Sequence, residues 1–294
     1  MIRSQRFFAP VCLLIGMLWL LPTQAADDDP EKGLLFRIGG GSDPACYLFG
    51  TIHSEDDRVV ELPQAVASAF ESSSVFVMEA IPDSEAIIRS MVTMVYTDGR
   101  TLEDVVGNAL YAETVGAMAD LGMPEEAIKD FKPWAVVTLL SVPPAKTGEF
   151  LDLRLYKAAV ASGKDVFGLE SIEEQLAVFE NLTQHEQVAL LRETLEVREE
   201  LPAVFERLIG AYLERDLDQL LRLSDEYLRG GDEELAKRFR VSALDVRNER
   251  MVERMDSYLA DGDCFIAVGA LHLPGKDGIL NRLRGAGYQV ERLY

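Results

Sequence analysis

Four short runs of apolar, β-branched and aromatic residues punctuate this chain, and each leads to an ionisable side chain at its carboxyl end. The runs are Cys46 to Ile52, Ser74 to Met78, Asp165 to Leu169 and Cys264 to Val268. They deliver His53, Glu79, Glu170 and, after Gly269-Ala270-Leu271, His272. Each is too short for a helix and is bounded by glycine or charge, so all four read as buried strands. Between and after them the spacing of apolar residues predicts helices over Pro63 to Ser72, Ser84 to Val95, Leu102 to Leu121, Ile172 to Glu180, His185 to Ile209 and Ser242 to Leu259. Strands alternating with helices define an α/β protein with a largely parallel central sheet and many helices. In open sheets of that kind ligands bind beyond the carboxyl ends of the strands. The four ionisable residues therefore meet in one crevice if the strand order allows it, and strand order is not legible here.

Local signals agree with these elements. Asp98-Gly99-Arg100 ends one helical segment and Thr101 caps the next, while Thr183 with Glu186 fits a capping box. Leu34 to Ile38, followed by Gly39-Gly40-Gly41-Ser42-Asp43-Pro44, reads as a hairpin into the first core strand. Gly285-Ala286-Gly287 leads into Tyr288 to Leu293, whose alternation suits a last strand.

Residues 1–25 read as a secretory signal peptide. Arg3 and Arg6 precede an apolar stretch, Phe7 to Leu21, that ends in Thr23-Gln24-Ala25. The stretch contains a proline and falls short of the roughly 20 residues a spanning helix needs. Cys12 lies inside it rather than after it, so no lipid anchor is indicated. The expectation is a periplasmic or secreted protein, with no stable membrane insertion after cleavage and residues 26–294 forming a single domain. The net charge of −21 becomes more negative once the two arginines are removed. Such a surface repels phosphate backbones, and with no basic patch in view nucleic acid is excluded as the main partner. Cys46 and Cys264 remain, each a few residues before a Gly-x-x-His sequence. A disulfide between them and a pair of buried thiols are both compatible with the sequence.

Chemistry centres on the histidines. Two of the three, His53 and His272, follow a glycine by three residues at the end of an apolar run. Glycine there permits a tight turn and close backbone approach to a ligand. Two imidazoles with one or two carboxylates are ordinary ligands for a divalent metal such as Mn, Co or Zn, and they leave positions open for water. Glu79 is the better carboxylate ligand, since it ends an apolar strand where an unpaired charge is costly; the plain alternative is an ion pair with an arginine. Glu170 reads as second ligand or general base, or as a charge in the first turn of the following helix. Arg247 and Asn248 sit on a helix running toward the fourth strand, placed either to supply an oxyanion donor and an orienting amide or on a solvated face. His185 reads as exposed. The sequence has no helical His-Glu-x-x-His, no Gly-x-Ser-x-Gly elbow, no catalytic cysteine candidate and no phosphate loop, so zincin, serine-hydrolase and nucleotide chemistry lose support.

Longer matches then emerge. Tyr47-Leu48-Phe49-Gly50-Thr51-Ile52-His53 with Leu62-Pro63 and Phe76-Val77-Met78-Glu79, Lys132-Pro133-Trp134, Asp152 with Ala158, Gly163-Lys164 and Gly168-Leu169-Glu170-Ser171 with Gln175, and Arg247-Asn248 before Phe265 through Gly275 occur in order. This succession resembles the TraB/GumN family, itself similar to the TIKI metalloproteases and more remotely to erythromycin esterases and haem-binding iron-uptake proteins. The resemblance implies two related halves, each carrying a Gly-x-x-His strand end, with both histidines at one site that Arg247 and Asn248 join. Two functions follow as expectations: a metal-dependent hydrolase acting on a peptide or small molecule, or an envelope protein that binds haem, metal or a peptide signal without catalysis.

Overall fold

The computed structural model describes residues 32–39, 44–228 and 232–294. The signal-peptide reading, and residues 40–43 of the glycine-rich turn, lie outside these.

Six strands form one mixed sheet: β1 (Leu35–Gly39), β2 (Cys46–Thr51), β3 (Val75–Met78), β4 (Asp165–Gly168), β5 (Cys264–Gly269) and β6 (Gln289–Arg292). Their order is β4-β3-β5-β2-β1-β6. The four strands legible as core strands are consecutive and mutually parallel, while β1 runs antiparallel to both β2 and β6. The late strand β5 is inserted between β3 and β2. It is buried along almost its whole length, with Phe265 and Ile266 fully inaccessible. A strand covered on both faces and paired on both edges needs a continuous apolar run, and Cys-Phe-Ile-Ala-Val supplies one. Edge strands β4 and β6 are largely exposed, Phe167 being 42% accessible.

Cys46 and Cys264 open β2 and β5 and face each other with Cα atoms 4.6 Å apart, their sulfurs joined as a disulfide. Above the sheet, Phe70 and Phe76 make edge contacts with each other, and Phe70 meets Phe265 edge-on.

Two helices expected to be continuous are broken. Leu102 to Leu121 divides at Gly107, whose φ of 79° ends Leu102–Val106 and begins Asn108–Asp120. His185 to Ile209 divides into Gln184–Val197 and Leu201–Leu213, with Pro202 in the first turn of the second, where its missing N–H costs nothing. Ser242 to Leu259 is a π-helical turn, Val241–Asp245, running into the helix Val246–Asp261. The helices Pro133–Leu140, Leu151–Ala161, Leu217–Leu228 and Glu233–Arg240 were not read from the sequence. Pro133–Leu140 is buried nearly all round, so it shows no helical period. It packs with Asn108–Asp120 and Gln184–Val197 around Met118, Ile128, Val136 and Leu191, a second core apart from the sheet.

Candidate active site

Strand order sets the ionisable residues in a row across the carboxyl edge of the parallel strands: Glu170 after β4, Glu79 after β3, His272 after β5 and His53 after β2. Insertion of β5 is what brings His272 beside Glu79. Both glycines of the Gly-x-x-His sequences are close-approach positions. A Cβ on Gly50 would meet Leu273 Cδ1 at 2.7 Å and the Ala270 Cα at 3.2 Å, so the absence of a side chain lets the 3-10 turn Ala270–His272 lie on β2. A Cβ on Gly269 would meet Glu79 Oε1 at 3.2 Å.

Glu79 is anchored on both oxygens. Oε1 accepts the Gly269 N–H at 2.6 Å, and Oε2 accepts from Arg247 at 2.6 Å and from Gln175 Nε2 at 3.0 Å. Arg247 reaches Glu170 as well, through Nε at 2.9 Å and a terminal nitrogen at 2.6 Å. Glu170 has no exposed side-chain surface, and its second oxygen is held by Arg250. One guanidinium thus bridges two carboxylates, the fork geometry that lysine cannot reproduce. Arg247 and Asn248 are therefore on a buried face, the latter only 2% exposed, and the solvated-face alternative is overturned. The arginine partner weighed for Glu79 is also present.

His272 is buried, and its Nδ1 lies 2.6 Å from Asn248 Oδ1. Asn248 Nδ2 donates to the Asp277 carbonyl at 3.0 Å, which fixes the amide so that Oδ1 is the acceptor. The ring must then carry its proton on Nδ1, leaving Nε2 bare. That nitrogen faces Glu79 Oε1 at 3.8 Å, beyond hydrogen-bond reach. Burial lowers the imidazole pKa against the pull of Glu79, so the ring is neutral near pH 7. Burial works to raise the Glu79 pKa, but surrounding charge and the Gly269 N–H outweigh it and hold the carboxyl below its usual range. Arg247, 2.6 Å from Glu79 Oε2, is the permanent cation beside that carboxylate.

His53 stands apart from this cluster. Its side chain is 60% exposed, its Nδ1 lies 3.5 Å from Asp152 Oδ2, and its ring stacks on Phe150 at 4.0 Å. Asp152 accepts from Thr51 Oγ1 at 2.5 Å, so the strand end that carries His53 also positions its carboxylate. Among the described residues, no group of three or more His, Cys, Asp or Glu side chains has the arrangement to hold a metal ion. The donor chemistry nevertheless fits in part: a bare, buried imidazole nitrogen faces a carboxylate oxygen at about the spacing two ligands of one ion adopt. His185 is exposed.

Sequence reasoning missed Arg250 as part of the site. Its signal was present, since Arg247, Arg250 and Arg254 recur at helical spacing and all three face carboxylates: Arg254 forks onto Glu174 at 2.7 Å. The partnership of Asp152 and Phe150 with His53 crosses elements far apart in sequence and leaves no local pattern.

Fold and site together define an α/β protein with a buried carboxylate, guanidinium and imidazole cluster at the carboxyl ends of its parallel strands. The chain belongs to the TraB/PrgY/gumN family, whose model matches residues 34–292. It is similar to Metalloprotease TIKI1 of Danio rerio, 28% identical over 301 residues covering 85% of this chain and 61% of that protein. Metalloprotease TIKI1 of Homo sapiens is 26% identical over 344 residues, covering 95% and 68%. Metalloprotease TIKI2 of Xenopus tropicalis is 27% identical over 301 residues, covering 84% and 58%. The chain thus spans about three fifths of the length of the relatives it matches. No solved structure matches it.

Proposed function

We propose that this protein is an exported, divalent-metal-dependent hydrolase that cleaves peptide bonds, its two halves each contributing a Gly-x-x-His strand end to one site. The observation that carries the reading is the lock on His272. Metal-bound histidines characteristically donate their second ring N–H to a fixed acceptor, which sets the tautomer and aims the other nitrogen. Asn248 is such an acceptor, itself pinned by the Asp277 carbonyl. The names of the relatives, metalloproteases, support the same reading.

In this reading His272 Nε2 and Glu79 are donors to Mn, Co or Zn, with His53 from the neighbouring strand end as the third. A metal so bound polarises a carbonyl and lowers the pKa of a water. The chain's own residues prepare the site. Asn248 orients the ring, and Gly269 N–H, Gln175 and Arg247 fix the Glu79 carboxylate. Glu170, considered as second ligand or base, is enclosed by Arg247 and Arg250 and serves to position the guanidinium. Arg247 spends its Nε and one terminal nitrogen on carboxylates, so its part is to hold Glu79 ionised.

A second reading, an envelope protein that binds haem, metal or a peptide signal without turnover, is favoured by one observation: both oxygens of Glu79 and of Glu170 are already partnered. Elemental analysis separates the possibilities. Near-stoichiometric metal in the wild type, lost in His53→Ala/His272→Ala with circular dichroism unchanged, together with metal-dependent cleavage of a peptide library, is the expected result. Retained metal without cleavage would assign binding. A protein that stays metal-free after incubation with Mn, Co and Zn would sink the metal site.

A further inference from the structure

A cavity of about 390 Å³ lies among the helices of the second core. Its wall is formed by Val137, Leu190, Val197, Phe179 and Phe239, side chains from four different helices. Close-packed interiors rarely leave space of this size, and ligand pockets of about 300 Å³ and upward with aromatic walls and a few polar groups are the usual exception. The charged groups among the described lining residues are of one kind. Glu193 and Glu196 line the cavity, with Thr138, Ser141, Thr194 and Tyr227, and none of the described lining residues is basic. Glu196 is exposed and Glu193 half-buried. A carboxylate pair at an apolar cavity attracts a cation and repels an anion, an effect the net charge of −21 reinforces. Phe179 and Phe239 meet at 5.4 Å between centroids and offer ring surface against which a flat apolar group or an ammonium packs favourably.

We propose that this cavity is a ligand site for a compact apolar amine, an aromatic or branched hydrocarbon group bearing a positively charged nitrogen. The site is separate from the carboxylate and imidazole cluster, and its test needs no turnover, so it stands or falls independently of the hydrolase reading.

A reporter is built in. Trp134 is fully buried and stacks on Phe179 at 5.4 Å with an interplanar angle of 16°, so a group packing on Phe179 alters the surroundings of the indole. The experiment titrates the full chain with phenethylamine and with phenylacetate, followed by calorimetry and by Trp134 emission. Ala236→Phe, which fills the cavity from the Glu233–Arg240 helix, and Glu193→Gln/Glu196→Gln are titrated in parallel. Val142→Phe, at a lining position 37% exposed, serves if Ala236→Phe fails to fold. Saturable binding of phenethylamine is expected, weakened about tenfold or more by the filling variant, a difference of about 1.4 kcal/mol. Phenylacetate should bind more weakly than the amine in the wild type, and the double glutamine variant should narrow that gap. Absence of saturable amine binding, equal binding of amine and acid, or binding that a folded filling variant leaves unchanged would each overturn the proposal.

Discussion

Replacing Asn248 with alanine takes away the acceptor for His272 Nδ1 and the donor to the Asp277 carbonyl in one step. Loss of a partner to a metal-bound histidine costs about 10–100-fold in metal affinity. Asn248→Ala should show that drop in chelator competition, whereas Asn248→Asp, which keeps the acceptor, should bind closer to wild type; equal affinity in all three proteins would remove His272 from the donor set. Arg247→Met leaves Glu79 without its cation and Glu170 with Arg250 alone, and breaking a buried pair in this way costs about 3–5 kcal/mol. Urea denaturation reads that loss directly, and Arg247→Lys should rescue little of it because one ammonium cannot fork between two carboxylates. Glu174 gives a pH signature. Hydrogen bonding to Arg254 is the largest influence and, with the Ser171 N–H, draws the carboxyl pKa from 4.5 to about 2. A depressed folded-state pKa contributes stability that is present above pH 4.5 and is lost as pH falls toward 2. Melting temperatures of Glu174→Gln should accordingly converge on those of the wild type across that interval; a constant gap would show that the carboxylate charge contributes nothing.

At the scale of elements, the contact between β2 and the turn Ala270–His272 decides whether His272 is in place. Gly50→Ala would drive a methyl into Leu273 and the Ala270 backbone, an overpacking that costs about 1–3 kcal/mol. Its expected result is lowered stability together with weakened metal retention; normal values of both would show that the turn relaxes freely. The elements nearest the site were also the most legible. Strands β2, β3 and β5 announced themselves because burial on both faces demands unbroken apolar runs, and the cap at Thr101 and the capping box at Thr183 marked helix starts. Glu79, Glu170 and His272 could be singled out because each follows such a run. Legibility failed where the cause was tertiary. The breaks at Gly107 and Pro202 are local instead, masked by apolar spacing that carries on across them: Gly107 takes a φ of 79°, and Pro202 has no N–H with which to continue the preceding helix. Arg247 looked solvated because a helix face rich in charge is ordinarily wet, and nothing local discloses two carboxylates delivered from β3 and β4.

For the whole molecule, no helix among the described residues is long and apolar enough to cross a membrane. The disulfide ties strand starts separated by 218 residues of chain, directly opposite the edge that bears the histidines. Removing it by Cys46→Ala/Cys264→Ala should cost about 2–5 kcal/mol. Calorimetry of the variant beside oxidised and reduced wild type checks this, and three coincident melting curves would mean that the bond carries no load. The two-sided pairing of β5 also governs how the protein is born. Until the segment 264–269 arrives, β2 and β3 each present an open edge with no neighbour between them, the kind of surface on which chaperones act and aggregates nucleate. Glu79 and Glu170 are synthesised long before Arg247 and His272, so a nascent chain carries the buried acids without their cation or their imidazole. The assembled cluster is thereby withheld from every unfinished molecule and appears only when the last core strand closes the gap.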